Sequence, residues 1–391
     1  MIDPEASQER ALPLDVLRGV AVLGILLINL YSFALPSDMR ANPLQLDNPS
    51  VLDTFFWYFL SIFIDGKCIA LLSLCFGASM EYFARRHQQS ELQERRLWWL
   101  AVIGSVHGYL LWSGDILFTY AVMGWVAWQW RRLDQRQLLV AGAALIFMQS
   151  LTLLMFAILP ESFHKEWAVY ATPAEISKEI ALYRQSWTEQ FPARAAEFFG
   201  LQMMVVITGW PNLGLMLVGM AMARQGWFSV GISRPIGNLL TGLTLGTGFC
   251  LVATSVFIGW AKNFPATYVY MSGAAMHLLG SMLMAIGYAI VGVRYCQSDS
   301  FVLLRKLVTP IGKMAMSFYV LQTLVCTFIF YGFGAGLFAH FALSQLMLFA
   351  VIFWLAQILL AHCWLRYFYM GPLEYLWRCL AYRESLPWRR T

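Results

Sequence analysis

The sequence predicts an all-α, polytopic membrane bundle of about ten transmembrane helices with both termini in the cytoplasm. Three observations predict it. Of 391 residues, 59% are hydrophobic and 13% are charged, whereas soluble domains run at about 45–50% and 25%. The apolar residues gather into runs long enough to cross a hydrocarbon layer about 30 Å thick, which takes roughly 20 helical residues. Lysine and arginine crowd the loops on one side of those runs. A soluble globular enzyme, a disordered chain and a disulfide-built secreted domain are excluded by the same composition. The seven cysteines form no CxxC pair and lie mostly inside apolar runs, so a zinc site is not expected. A net charge of +5 is no nucleic-acid footprint and reports instead on membrane topology.

The first apolar run, 14–34, follows an acidic and polar N-terminus and is long enough to span, so it is read as a retained helix and not a cleaved signal. The second, 53–83, is too long for one straight crossing and carries Asp65-Gly66-Lys67 in its middle. It is either a tilted helix with a polar kink or a helix preceded by an interfacial segment. Runs 97–113 and 115–130 are joined by Ser113-Gly114 alone, which makes a tight hairpin. Run 138–160 follows. The one sizeable soluble piece, 161–195, mixes Trp167, Tyr170, Tyr183 and Trp187 with Glu175, Glu179 and Glu189. Its apolar residues recur at helical spacing from Pro173 onward. It reads as an amphipathic helix on the outer surface, with a substrate lid as the alternative. The remaining runs are 196–223, 236–260, 267–293, 311–332 and 342–365. The chain divides into an N-terminal bundle, 1–223, and a C-terminal membrane region, 224–391.

Orientation follows from basic residues in short loops. With the N-terminus inside, the inner loops hold Arg85, Arg86, Arg95, Arg96, Arg131, Arg132, Arg136, Arg224, Arg234, Arg294, Arg305 and Lys306. The outer side holds Arg40, Lys165, Lys178, Arg184, Arg194 and Lys262, four of them in the long 161–195 loop.

A charge inside a span is costly and usually faces a cavity, a partner or a site. At the inner level stand Asp15, Arg18 and Lys313. Asp15 and Arg18 are spaced i, i+3 and share a helix face. They form either a structural ion pair or, with Lys313, a seat for the phosphates of an anionic cytosolic ligand. At the middle and outer level stand Asn29, Asp65, Lys67, His107, Asp115, Asn212 and His277. His107 lies among small residues in Gly104-Ser105-Val106-His107-Gly108, with Asp115 across the hairpin turn. A histidine with a carboxylate nearby can act as a general base; the structural alternative is a hydrogen bond to a neighbouring helix. His277 follows a similar stretch, Ser272-Gly273-Ala274-Ala275. Asp65, Lys67, Asn212, His277 and Gln322 are the candidate residues of a substrate cavity. His87, His164, His340 and His362 read as interfacial or solvated. No spacing suggests a metal, and no phosphate-binding loop or dinucleotide fingerprint occurs.

Several stretches together carry a resemblance. They are Leu14-Asp15-Val16-Leu17-Arg18-Gly19 with Asn29 downstream; Asp65-Gly66-Lys67 followed by Leu71 to Gly77; His107 to Leu117; Gly312-Lys313-Met314-Ala315-Met316-Ser317-Phe318-Tyr319 through Gln322; and Gly371-Pro372-Leu373-Glu374-Tyr375 through Arg378. In this order they resemble the YeiB family of bacterial inner-membrane proteins, whose C-terminal part is a domain of unknown function numbered 418. The first span is similar to that of heparan-α-glucosaminide N-acetyltransferase and its bacterial relatives. Those transmembrane acyltransferases pass an acyl group from cytosolic acyl-CoA to a sugar across the membrane.

That resemblance implies acyl-CoA as the donor substrate, Arg18 near its CoA end and Asn29 near the reacting centre. The related enzymes carry a catalytic histidine after the first span, but residues 35–66 here contain none. His107, supported by Asp115, is therefore the expected base. The expected function is transfer to an extracytoplasmic glycan or lipid-linked acceptor. The alternatives are a secondary transporter, with Asp65, Lys67, Asp115 and His277 as its sites, or a non-catalytic membrane protein. Expected partners are membrane lipid and a small-molecule or glycan substrate, with a homodimer left open and no nucleic acid.

Overall fold

A computed structural model describes residues 12–46, 48–86, 90–163, 168–298 and 302–390. Among these the chain is helical throughout, with no strand. In a bilayer this is forced, because backbone groups in hydrocarbon must be satisfied within the segment. The helices are α1 (Leu12–Ala34), α2 (Val51–Phe63), α3 (Lys67–Arg86), α4 (Ser90–Leu110), α5 (Leu117–Gln129), α6 (Gln135–Ala157), α7 (Pro173–Tyr183) and α8 (Trp187–Thr208). There follow α9 (Trp210–Arg224), α10 (Arg234–Ala261), α11 (Gly273–Cys296), α12 (Val302–Lys313), α13 (Ala315–Phe330), α14 (Leu343–Tyr367) and α15 (Pro372–Tyr382).

Six helical segments are long and apolar enough to cross a membrane, with α2 and α3 together as one of them. Two further pairs pass the same test together, each bent at a break: α8 with α9 by 59° and α12 with α13 by 80°. Eight of the expected runs thus map onto helices or bent pairs. The other two fall on α4 and α5. The first turns of α4 carry Glu91, Glu94, Arg95 and Arg96, and α5 has only 13 residues, so neither passes on length and composition. They form the expected hairpin through Ser113-Gly114.

Helix starts follow their local chemistry. Ser50 and Asp53 close a reciprocal capping box at α2, as do Asp134 and Gln137 at α6 and Thr172 and Glu175 at α7, each satisfying two otherwise orphaned donors. The helix expected from Pro173 is α7. It covers the far end of the bundle, where the Ser37 amide donates to Glu179 at 3.1 Å and Tyr183 stacks on Phe338 at 4.7 Å. The segment read as loop also contains the start of α8. His87, His164, Lys165 and Trp167 lie outside the described residues.

The apolar stretch of α1 is 78% buried, that of α10 only 22% and those of α6 and α14 28%. A helix apolar all round belongs in the interior, or in lipid. Here α1 is central, whereas α6, α10 and α14 present apolar sides outward. Helix α9 is as enclosed as α1. It meets α3 so closely that a Cβ on Gly77 would collide with the Met216 carbonyl, and one on Gly219 with the Leu74 carbonyl. Small residues permit this backbone approach where lipid offers no hydrophobic drive to association.

The break between α12 and α13 leaves the N-terminus of α13 without intrahelical acceptors. Glu374 of α15 supplies them from the C-terminal end of the chain. Its carboxylate accepts from the Met316 amide at 2.8 Å, the Ser317 amide at 3.1 Å and the Ser317 hydroxyl. Burial pushes the Glu374 carboxyl above the usual range, against the opposing pull of these donors. The Trp377 indole donates to the Arg96 carbonyl at 2.7 Å, and the Arg96 guanidinium lies over both Phe83 and Trp377. We predict that Glu374→Ala lowers unfolding stability in detergent by about 1–2 kcal/mol, the scale of a lost helix cap. Glu374→Gln should cost less; thermal melts of the purified variants check the order.

Candidate functional site

The polar residues inside the bundle sort into three groups. The first begins at the α2–α3 break. Gly66 takes a positive φ of 77°, a conformation that costs glycine little. The chain turns at Ile64–Gly66, and the Asp65 amide donates back to Leu60 at 2.8 Å. The Ser61 carbonyl, near the C-terminus of α2, is left to accept from side chains. It takes the Lys67 ammonium at 2.8 Å and His277 Nε2 at 3.0 Å. A helix C-terminus favours such cationic donors.

Lys67 is fully buried, and its Nζ lies 3.4 Å from His277 Nε2. With Nε2 donating to Ser61, His277 Nδ1 carries the lone pair and faces the Ser281 hydroxyl at 3.4 Å. Asp65 is paired with Arg40 at 2.5 Å. Arg40 reaches it from a short helical turn, Asp38–Ala41, in the loop after α1. The adjacent Asp65 carboxylate raises the Arg40 guanidinium pKa further.

All of these groups but the enclosed Lys67 border a cavity of about 560 Å³. Arg40, Asp65, Ser61, His277 and Ser281 line its polar side, and Trp57, Tyr268 and Tyr270 its aromatic side. The size falls in the ordinary range for small-molecule sites, about 300–1,000 Å³. Tyr268–Ser272, leading into α11, is a π-helical turn, a widening found often at functional sites.

The second group is a buried chain on the α4–α5 hairpin. His107 Nδ1 contacts Asp115 at 2.8 Å and its Nε2 contacts the Thr323 hydroxyl at 3.0 Å. The other Asp115 oxygen accepts from the Phe118 amide at 2.7 Å, and the Tyr319 hydroxyl accepts from the Ile116 amide at 3.2 Å. His107 is 2% exposed and Thr323 0%. The hydroxyl–imidazole–carboxylate order is that of a nucleophile, base and orienter, but its members are enclosed by protein and both imidazole nitrogens are occupied. The sequence reading paired His107 with Asp115 and missed Thr323. The signal was a buried polar stripe on α13: Tyr319, Gln322, Thr323 and Thr327. Gln322 Nε2 donates to the Val22 carbonyl at 3.2 Å and to Gln357 at 3.3 Å.

The third group is at the arginine-rich end. Arg18 bonds Asp15 at 3.0 Å and also reaches the Ser79 hydroxyl. Lys313, exposed at the α12–α13 break, and Arg378 of α15 lie in the field of Asp15. Asn212 lies elsewhere in the core. It accepts from Ser73 at 3.2 Å, and Ser73 also reaches the Tyr120 hydroxyl at 3.3 Å. Asn29 is buried on α1. The structure thus brings Asp65, Lys67 and His277 together, and separately His107 with Asp115 and Asp15 with Arg18. Arg18 and Tyr31, which lies beside Asp65 and Arg40, are about 20 Å apart along α1 at 1.5 Å per residue. Arg40, Ser61 and Ser281 were not foreseen as site residues. Two are a loop residue and a serine on α11, and Ser61 acts through its backbone. Among the described residues, no cluster of three or more His, Cys, Asp and Glu side chains is arranged to hold a metal ion.

Removing Asp65 leaves the buried Lys67 and the solvent-facing Arg40 without their carboxylate. We predict that Asp65→Asn costs about 1–2 kcal/mol, less than a fully buried pair because solvent reaches Arg40. Lys67→Met should cost less, and the double variant should recover part of the Asp65→Asn loss. Thermal melts forming a double-mutant cycle measure this coupling.

Comparison with known proteins places the chain among relatives. Residues 222–384 match a family model described as a protein of unknown function, DUF418. The chain is 32% identical to the uncharacterized protein YeiB of Escherichia coli K12, over 97% of this chain and 98% of the relative. It is 27% identical to the uncharacterized protein YxaH of Bacillus subtilis 168, over 99% and 98%. An uncharacterized 39.9 kDa protein encoded in the amylase 3′ region of Bacillus acidopullulyticus is 25% identical over 99% and 98%. No solved structure matches.

Proposed function

The chain belongs to the YeiB family, and from that premise we propose that it is an integral-membrane acyltransferase working across the bilayer. The loop charges make the arginine-rich end cytoplasmic, in a bacterial inner membrane with both termini inside. Acyl-CoA is the donor on that side and is met by Arg18 and Lys313. The acceptor, a glycan or lipid-linked sugar bearing a hydroxyl or amine, enters the cavity at the far end. The observation that carries the reading is the pair of polar stations at opposite ends of α1. One is cationic and suits phosphates; the other is a cavity with a histidine on its wall.

In this reading His277 takes the base role assigned to His107 from sequence, because His277 lines the cavity while His107 is enclosed by protein. His277 Nδ1 takes the proton from the acceptor hydroxyl or amine. The acceptor's O or N forms the new bond to the acyl carbon as the thioester C–S bond breaks, and the leaving CoA thiolate takes the proton back from His277. Arg40, on the cavity wall, is the cation offered to the negative charge that develops on the acyl oxygen, with Lys67 and Asn29 enclosed behind the cavity. The His107–Asp115–Thr323 chain holds the α4–α5 hairpin against α13.

The test is transfer of radiolabelled acyl groups from acyl-CoA by protein in vesicles. His277→Ala should lower kcat by about 10²–10⁴-fold, the usual worth of a general base, while a thermal melt stays close to wild type. Arg18→Ala should raise KM for acyl-CoA about tenfold, the equivalent of one charge-assisted contact. An absence of acyl-CoA binding by calorimetry with wild-type protein would sink the proposal.

A second reading, transport, is favoured by the bent pairs α8–α9 and α12–α13, since interrupted helices line substrate sites in many carriers. Flux of a polar solute into proteoliposomes without acyl-CoA would select it instead.

A further inference from the structure

Independently of that reading, we propose that the groove between α4 and α5 at the arginine-rich end is a seat for one zwitterionic phospholipid whose headgroup carries a primary ammonium. The groove holds about 700 Å³. Its deeper walls are Trp98, Ala101, Phe118, Val122 and Trp125, and its mouth carries Glu91, Glu94, Arg95 and Arg383. Trp98 is 67% exposed and Trp125 54%. Tryptophan is enriched at the bilayer interface, so the groove runs from headgroup level into hydrocarbon, as a phospholipid does.

The charges at the mouth specify the occupant. Two carboxylates and two guanidiniums converge there, yet among the described residues no ion pair joins any two of them. Arg95 Nε is buried with no hydrogen-bond partner. Arg95 as a whole is only half-buried, so the rest of its guanidinium is open to an acceptor from outside the chain. A phosphate diester accepts from Arg95 and Arg383 in the planar, bidentate manner guanidinium favours. An ammonium three or four bonds away donates to Glu91 and Glu94. A phosphoglycerol headgroup would leave both carboxylates facing neutral hydroxyls beside an anion. A phosphocholine headgroup carries the charge but has no N–H to donate.

Delipidated protein in detergent micelles, titrated with dioleoyl lipids bearing phosphoethanolamine, phosphocholine or phosphoglycerol headgroups and read by native mass spectrometry, tests this. One phosphoethanolamine lipid per chain should be retained at about tenfold lower concentration than either competitor, a preference of about 1.4 kcal/mol. Glu91→Gln with Glu94→Gln should abolish that preference, and Ala101→Trp, which fills the groove, should abolish the adduct. If Ala101→Trp does not elute as a single species, Arg95→Gln with Arg383→Gln replaces it with the same expected loss. Equal retention of the phosphoglycerol lipid by wild-type protein overturns the headgroup assignment. An unchanged adduct in the groove-filling or arginine variant puts the lipid elsewhere and overturns the site.

Discussion

The interior of this protein is organised by one constraint: a charge placed below the membrane surface must be answered inside the protein. Lys67 is the sharpest case, fully buried with an ammonium group. Its answer is a backbone carbonyl released by a helix break, a carboxylate two residues earlier and an arginine brought from the loop to hold that carboxylate. Each of these partners fixes something larger. The Ser61 carbonyl requires the turn at Gly66, the Asp65–Arg40 pair pulls the loop after α1 into the bundle, and His277 ties α11 to both. The cavity is the space these obligations leave between α2, α10 and α11.

The helical architecture was legible in the chain because a bilayer permits little else. Runs such as 14–34 and 342–365 correspond within two residues to α1 and α14. Where length and composition pulled apart the reading was weaker. Residues 97–130 looked like two ordinary crossings, but α4 spends its first turns on charges and α5 is short. Breaks were legible only where a polar motif marked them, as Asp65-Gly66-Lys67 did. The 80° bend at Met314 follows Pro310, Gly312 and Lys313, yet the group that caps it, Glu374, lies 60 positions further on.

Among the site residues the same division holds. Which polar side chains were buried could be read from their place in apolar runs. Which of them meet could not, since His277 and Lys67 are 210 residues apart and their common partner is a main-chain oxygen that no side-chain pattern announces. His107 and Asp115 were within reach of each other by spacing alone, yet their third member, Thr323, is 216 residues from His107. A histidine's neighbours decide whether it faces solute or serves as a fastener, and here two similar-looking histidines fall on opposite sides of that line.

The cap that Glu374 places on α13 has a consequence for the order in which the molecule is made. The first residues of α13 are synthesised nearly 60 positions before residue 374, so their amides wait uncapped while α14 and the turn after it are still being added. The α12–α13 elbow therefore reaches its final form only once residue 374 has been added. A shortened or obstructed C-terminus then acts as an assembly defect felt at the centre of the bundle, far in sequence from the lesion itself. Glu374 in this sense carries a late instruction for a bend laid down earlier.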